Sequence, residues 1–346
     1  MPTAETIQFV SRRSVLSGIG AALCASASRA APAPYQWKGL TIITSTGAGG
    51  TYDLVARLVA RHMPKYLPGN PTAIVQNMPG GGNVVATNYM YNNALKDGTV
   101  IAVINDAIPL HQVIDGRGVR FDADKFNWLG SPGDRNSVTF AWHTSGIKTI
   151  EDVMQREVVL GGTGVASSIV VYPTAMNKVL GTKFKIVLGY RSSSEVFLAM
   201  ERGEIAARSV GLTSVLAEYP EWITGKKINF LVQLGAKRDP MLPDVPLLTE
   251  LAKTEEQRQI LTLISAPTLL GQPYLAPPDV PADRVATLRA AFSSTMRDPA
   301  FLVEVKRASY DAVPLTGEEV ARFVHQTVTA PPDIVAKARA IISSPG

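Results

Sequence analysis

Two short stretches carry the residue types best suited to hold an anion. "TSTGAGGTYD", residues 44–53, runs from an apolar strand end through a glycine turn into an amphipathic run, and "LGGTGVASS", residues 160–168, repeats that arrangement. A strand, a glycine-rich turn and a helix start leave backbone N–H groups pointing outward. The hydroxyls of Thr46, Thr51, Thr163, Ser167 and Ser168 stand beside them. Such a cradle fits a phosphate or a carboxylate. Neither stretch is a nucleotide motif, however. No Gly-Lys-Ser/Thr follows to hold phosphates and magnesium, and a dinucleotide fingerprint would need glycine where Tyr52 and Ser167 stand.

Other chemistry finds little support. There is no G-x-S-x-G elbow and no H-E-x-x-H. His62, His111, His143 and His325 are scattered singly, and each is expected to be a surface or locally bonded residue rather than a ligand. Glu151 and Asp152 suit a helix N-terminus, where the dipole favours acid. Nothing assembles a nucleophile, a base and an orienting group. The expectation is therefore a protein that is not an enzyme, with no metal and no cofactor.

The elements that must position the two turns follow from apolar periodicity. Strand-like runs at 40–44, 72–76, 99–104, 138–143, 157–160, 184–189, 204–210 and 228–235 alternate with helical patterns, which argues for an α/β fold with mostly parallel sheets. Leu54, Val55, Leu58, Val59 and Met63 make the first helix one-sided, and Pro64 should end it. Thr149 followed by Asp152 predicts a helix starting near 150. The two strand–turn–helix units lie 114 residues apart (Gly47 to Gly161) and suggest two similar lobes facing one cleft, with ligand at the carboxyl ends of the strands. Crossings between lobes are expected near 136–142 and 233–238, with the chain from about 265 returning to the first lobe.

Composition is that of an ordinary globular chain: 346 residues, 46% hydrophobic and 18% charged. No apolar run beyond the N-terminus approaches the roughly 20 residues needed to span a bilayer, so the body is not expected to be membrane-embedded. Residues 1–30 read as an export signal. Ser11-Arg12-Arg13 precedes an apolar stretch, and small-x-small cleavage sites follow at Ala25-Ser26-Ala27 and Ser28-Arg29-Ala30. The arginine pair resembles a twin-arginine signal, although Val15 and Ser17 depart from it; an ordinary secretory signal is the alternative. Either places the mature protein outside the cytoplasm, and a bacterial periplasm is the expected compartment. Cys24, the only cysteine, lies inside the signal, where Ala21 and Leu23 argue against a lipid anchor. Cleavage removes Arg12, Arg13, Arg29 and Glu5, so 34 basic and 29 acidic residues become 31 and 28. With no Lys/Arg run, a nucleic-acid partner is not expected.

"TIITSTGAGGTYDLVARLVA", "QNMPGGGN", "GGTGVASS", "GYRSSSEVFLAMERGEI" and "AKRDPMLPDVPLL" occur in order and at suitable spacing. As an ordered set they resemble the periplasmic solute receptors of tripartite tricarboxylate transporters, the Bug-type binding proteins, from about residue 38 to about 330. The resemblance implies a two-lobed, type II-like periplasmic-binding-protein fold, with lobe 1 at 38–136 plus 265–346 and lobe 2 at 137–264. It implies a small carboxylate ligand, two membrane subunits as partners and a monomeric receptor. A sensor presenting its ligand to a signalling partner is the alternative.

Carried over by motif, one pincer on the ligand is Ser45, Thr46, Gly47, Ala48, Gly49, Gly50, Thr51 and Asp53. The other spans Gly161 to Ser168, with Gly162, Thr163, Gly164, Ser167 and Ser168 as contacts. Arg191 and Ser192 of the "GYRSSSE" loop and Asn105 at the end of "TVIAVIN" join the candidates. Asp53 is either a helix-start capping carboxylate or a ligand contact. Arg191 is either a carboxylate partner or a solvated cation. Thr44 and Ser45 replace the family's usual proline and aromatic, which removes an apolar wall. Ala206 and Val210, with Arg208 between them, stand where relatives often carry acid. A site poor in acid should disfavour an ammonium, so a di- or tricarboxylate or an aromatic carboxylate is expected over an amino acid.

Overall fold

The computed structural model describes Met1 and residues 35–49, 51–133, 136–162, 168–190, 193–235, 237–308, 310 and 312–343. The expected signal segment lies outside them.

The chain first lays down β1 (Gly39–Thr44), α1 (Thr51–His62), β2 (Thr72–Asn77), α2 (Val84–Asn92), β3 (Val100–Val103), α3 (Ile108–Ile114) and β4 (Asn127–Ser131). It then builds β5 (Ser137–Trp142), α4 (Ile150–Gln155), β6 (Val158–Gly161), α5 (Ser168–Ala175), β7 (Phe184–Val187), α6 (Ser193–Glu201), β8 (Ala207–Gly211), α7 (Leu212–Glu218), α8 (Pro220–Thr224) and β9 (Ile228–Leu234). After α9 (Glu255–Ser265) come β10 (Tyr274–Ala276), α10 (Ala282–Thr295), α11 (Pro299–Arg307), β11 (Leu315–Thr316), α12 (Gly317–Val328) and α13 (Pro332–Ser343).

The strands form two sheets, ordered β11-β4-β10-β3-β1-β2 and β7-β6-β8-β5-β9. Their cores are alike. In one, β1 lies between β2 and β3, parallel to both. In the other, β6 lies between β7 and β8, again parallel to both. Next to each parallel core stands an antiparallel strand, β10 against β3 and β5 against β8. Each of these enters from the other sheet, so no crossover helix within its own sheet turns it to run parallel. The sheets are therefore mixed, with parallel pairing confined to the cores, rather than mostly parallel.

Strand alternation divides the apolar residues between the two faces of each sheet. Leu40 and Ile42 face α1, α10 and α11, where Val55, Val59, Leu288, Phe292 and Phe301 meet them. Ile43, Ala102 and Ile104 face the opposite layer of α2, α3 and α12, with Val84, Met90 and Val324. In the second sheet, Val158, Leu160 and Ala207 pack with Tyr172 of α5 and Ile264 of α9. Phe140 and Val210 pack with Phe197 of α6 and Trp222 of α8. The last helix, α13, lies against α3, α5 and α9 through Ile334 and Ala338.

Local signals read in the sequence hold at two helix ends. Asp152 Oδ2 accepts from the N–H groups of Lys148 (2.8 Å) and Thr149 (3.0 Å), starting α4 at Ile150. The α1 helix stops at His62, and Pro64 opens a separate 3-10 turn.

Candidate functional site

In each parallel core the connecting helices take opposite faces. The helix after the central strand (α1 or α5) covers one side, and the helix after the edge strand (α2 or α6) covers the other. The carboxyl ends of β1 and β3, and of β6 and β8, thus flank a topological switch point, where open α/β sheets leave a crevice for ligand. Both glycine turns follow those strand ends.

At the first switch point the strand ends are tied together. Ser45 donates its N–H to Val103 O (3.2 Å), and its buried hydroxyl accepts from Asn105 N–H (3.1 Å). Asn105 Oδ1 in turn accepts from Ala107 N–H (3.0 Å), shaping the entry to α3. Thr44 is fully buried, its hydroxyl 3.2 Å from that of Thr46. Thr44 and Ser45 thus turn inward and hold the loops by hydrogen bonds. Gly47, Ala48 and Gly49 are exposed beyond them, and Gly49 takes φ +88°, a conformation that favours glycine. Among the described residues the Gly47 and Ala48 N–H groups have no partner, and the half-buried Thr51 opens α1. Gly50 lies outside the described residues.

Asp53 is 4% exposed and all its bonds run within the protein. It accepts from Gly49 N–H (3.0 Å), from Arg57 Nε and Nη2 (3.0 Å each) and from Asn77 Nδ2 (2.9 Å). Burial alone would raise its pKa. The hydrogen bonds from Arg57, Gly49 and Asn77 outweigh that and hold it at about 2. The bond from Gly49 N–H ties Asp53 to the turn that precedes α1. Asn77 also donates to Thr46 O (3.1 Å), so the end of β2 braces the turn. Tyr52 adds a further brace: its hydroxyl donates to Gly271 O (3.3 Å) and accepts from Asp106 N–H (3.2 Å). These braces escaped the sequence reading, although the i, i+4 spacing of Asp53 and Arg57 was a usable signal.

At the second switch point Gly162 N–H donates to Val187 O (2.9 Å), and both Gly161 and Gly162 are buried. A Cβ on Gly161 would stand 2.5 Å from Ile205 Cδ1 and 3.0 Å from Val196 Cγ1, so the strand end admits only glycine without movement. Ser168 opens α5. Thr163, Gly164, Ser167, Arg191 and Ser192 lie outside the described residues. The helices leaving the two switch points converge: Ala107 and Leu110 of the β3–α3 segment and Val171 and Tyr172 of α5 line one mostly apolar cavity.

His62, His111 and His325 are locally bonded, as expected of them. His62 Nε2 lies 3.0 Å from Glu304 Oε1, His111 Nε2 3.2 Å from Arg117 O, and His325 Nδ1 3.0 Å from Asp124 Oδ2.

Two sheets with matching parallel cores, each flanked by an antiparallel strand that the chain reaches by crossing from the other sheet, define the fold of the periplasmic binding proteins. A TctC solute-binding protein from Polaromonas shares it, with TM-score 0.65 and 18% identity over 88% of this chain and 97% of that one. So do MatC of Rhodopseudomonas palustris with bound malate (TM-score 0.64, 18% identity, 86% and 98% covered) and R. palustris Rpa4515 with adipate (0.64, 17%, 87% and 97%). The model of the tripartite tricarboxylate transporter family receptor, TctC, matches residues 55–340, and the chain belongs to that family. No curated protein sequence matches it. Receptors of this family are periplasmic, and among the described residues no helix is long and apolar enough to cross a membrane.

Proposed function

We propose that this protein is exported by its N-terminal segment, captures a small carboxylate between two lobes and delivers it to two membrane subunits of a tripartite tricarboxylate transporter. The observation carrying this reading is the pair of switch points, each with a glycine turn and helix start at the carboxyl end of a central parallel strand. The lobes are residues 38–136 with 265–346, and 137–264, with α13 reaching across to α5 and α9. The ligand-binding set is Ser45 to Thr51 and Asn105 on one side, and Gly162 to Ser168 with Arg191 and Ser192 on the other. Asp53 serves this set by fixing the turn.

The energetics are modest. Each charge-assisted hydrogen bond from a backbone N–H or hydroxyl to a carboxylate contributes roughly 1.5–3 kcal/mol. Four of them bracket the roughly 8 kcal/mol of a micromolar receptor before ordering costs are subtracted. The malate- and adipate-bound relatives favour a dicarboxylate.

The test is to unfold and refold the mature monomer, stripping any ligand it carries, and to record melting shifts against a carboxylate panel. A ligand at 100 times its dissociation constant adds about 2.7 kcal/mol, a readily visible shift. A di- or tricarboxylate without an amine is expected to shift the transition more than aspartate or glutamate. If no carboxylate moves it, the receptor reading is wrong.

A further inference from the structure

The last helix joins the two helices that leave the switch points. α12 packs on the first sheet through Val320 and Val324, and α13 follows it after only residues 329–331. α13 then lies across α5 and α9 of the second sheet. Ile334 is 4% exposed there and Ala338 is fully buried, in the apolar cluster that holds Val171, Tyr172, Leu261 and Ile264. Lys337 Nζ adds an ion pair to Glu256 Oε2 of α9 at 2.6 Å. Arg339, the residue after Ala338, reaches α3 instead. Its Nε donates to Ile114 O (2.7 Å) and its Nη2 to Val113 O (2.9 Å).

These two holds differ in kind. Val113 and Ile114 end α3, and the last carbonyls of a helix lack partners within it. A guanidinium there satisfies them and meets the negative end of the helix dipole. Arg339 is exposed, so water competes for the same carbonyls and the bonds can open and reform. The hold on α5 and α9 is apolar, and parting it would bring buried side chains into water. Between the holds, Ala107, Leu110, Val171, Tyr172 and Ile342 line a cavity of about 70 Å³, which leaves α3, α5 and α13 room to shift. The far end of α3 begins beside Asn105, which Ser45 ties to the first glycine turn, and α5 begins at Ser168.

We propose that α13 is a latch: seated lastingly on α5 and α9, it restrains α3 through Arg339, and so limits how far the first switch point can move relative to the second. The apolar seat stays closed while the Arg339 bonds open and close. The proposal goes beyond the receptor reading above, and its test needs no ligand, so it can fail while that reading stands.

The experiment places spin labels on Thr72→Cys in β2 and Lys185→Cys in β7, exposed positions on the edge strands of the two sheets. The chain carries Cys24→Ser, is refolded without ligand, and yields the distance distribution between the sheets by pulsed dipolar spectroscopy. Arg339→Met is expected to widen that distribution about twofold, because the unlatched arrangements gain population. Arg339→Lys keeps a charged donor and should widen it less. Ile342→Ala loosens the seam without removing the Arg339 bonds and should also widen it. Lys337→Met, which acts only on the second-sheet hold, should leave it as in wild type. A folded Arg339→Met protein with the wild-type distribution overturns the proposal, even if its melting temperature falls, because a merely stabilising arginine would lower the melt alone. Equal widening by Lys337→Met and Arg339→Met also overturns it, since the seat and the latch would then be one hold. Should Arg339→Met fail to fold, an unchanged distribution in Ile342→Ala overturns it instead.

Discussion

Arg57 donates from Nε and Nη2 to the two carboxylate oxygens of Asp53, each at 3.0 Å, one helical turn below the first glycine turn. The carboxylate is nearly sealed while the guanidinium is half in solvent, with 6% and 47% of their side chains exposed. An acid at the mouth of an anion site would repel the ligand if it stood alone. Paired with Arg57 and bonded to Gly49 and Asn77, it acts as a fastener for the turn.

That fastener makes a pH signature. The folded pKa of Asp53 lies at about 2, below its ordinary 3.8, so its stabilisation is present above pH 4 and is lost as pH falls through about 2. The shift corresponds to about 2 kcal/mol. Urea unfolding of wild type and Asp53→Asn should differ by that order at pH 7, with the gap narrowing below pH 4. A gap that stays constant between pH 7 and pH 2.5 would contradict the fastener role.

Ser45→Ala removes the acceptor of the Asn105 N–H. A donor left without its partner costs about 1–3 kcal/mol. Hydrogen exchange at Asn105 should quicken, and carboxylate affinity should fall with it, because the β3–α3 loop loses its anchor to β1. Unchanged exchange at Asn105 would remove Ser45 from this role.

Gly161→Ala puts a methyl 2.5 Å from Ile205 Cδ1 and 3.0 Å from Val196 Cγ1. Overpacking of this kind costs about 1–3 kcal/mol. Thermal melting should drop by several degrees, and the double variant Gly161→Ala/Ile205→Val should recover part of the loss. No recovery would place the strain elsewhere.

Gln233, fully buried near the end of β9, holds the "AKRDPMLPDVPLL" loop. Its Nε2 donates to Leu242 O (2.9 Å) and Val245 O (2.7 Å), and its Oε1 accepts from Asn136 Nδ2 (2.7 Å) and Asp239 N–H (2.7 Å). Gln233→Leu removes four hydrogen bonds, two of them inside the buried interior, and should destabilise by about 1–3 kcal/mol. Limited proteolysis is expected to find new cleavage between residues 237 and 247. A variant as stable and as resistant as wild type would refute the hub.

Legibility in the sequence followed the strength of local signals. Eight strands with three or more apolar positions were readable, including β1 and β6, whose ends lead into the glycine turns. β4 escaped because Gly130 and Pro132 close its sequence like a turn, and β10 is three residues between Pro273 and Pro277. Its pairing with β3 and β4 comes from far along the chain, which periodicity does not report. At the site, hydroxyls counted as ligand donors from their type were in part already bonded: Ser45 to Asn105, Thr46 to Thr44. Arg208 was visible between Ala206 and Val210, two positions where relatives often carry acid, but its enclosure by Phe197 is a product of tertiary packing.

The interruption of the first sheet's chain by the second sheet has a consequence for inheritance. A gene fragment ending near residue 136 would encode β3 and β4 without the β10 strand that fills the space between them, and a fragment starting there would carry β5 and β9 bound to partners but also β10, pairing with nothing. Only the second half holds a piece of the other's wall. The first unit, interrupted by the second, cannot be cut out as one continuous piece; duplication, fusion or splitting of this chain has to keep β10 and β11 together with β3 and β4.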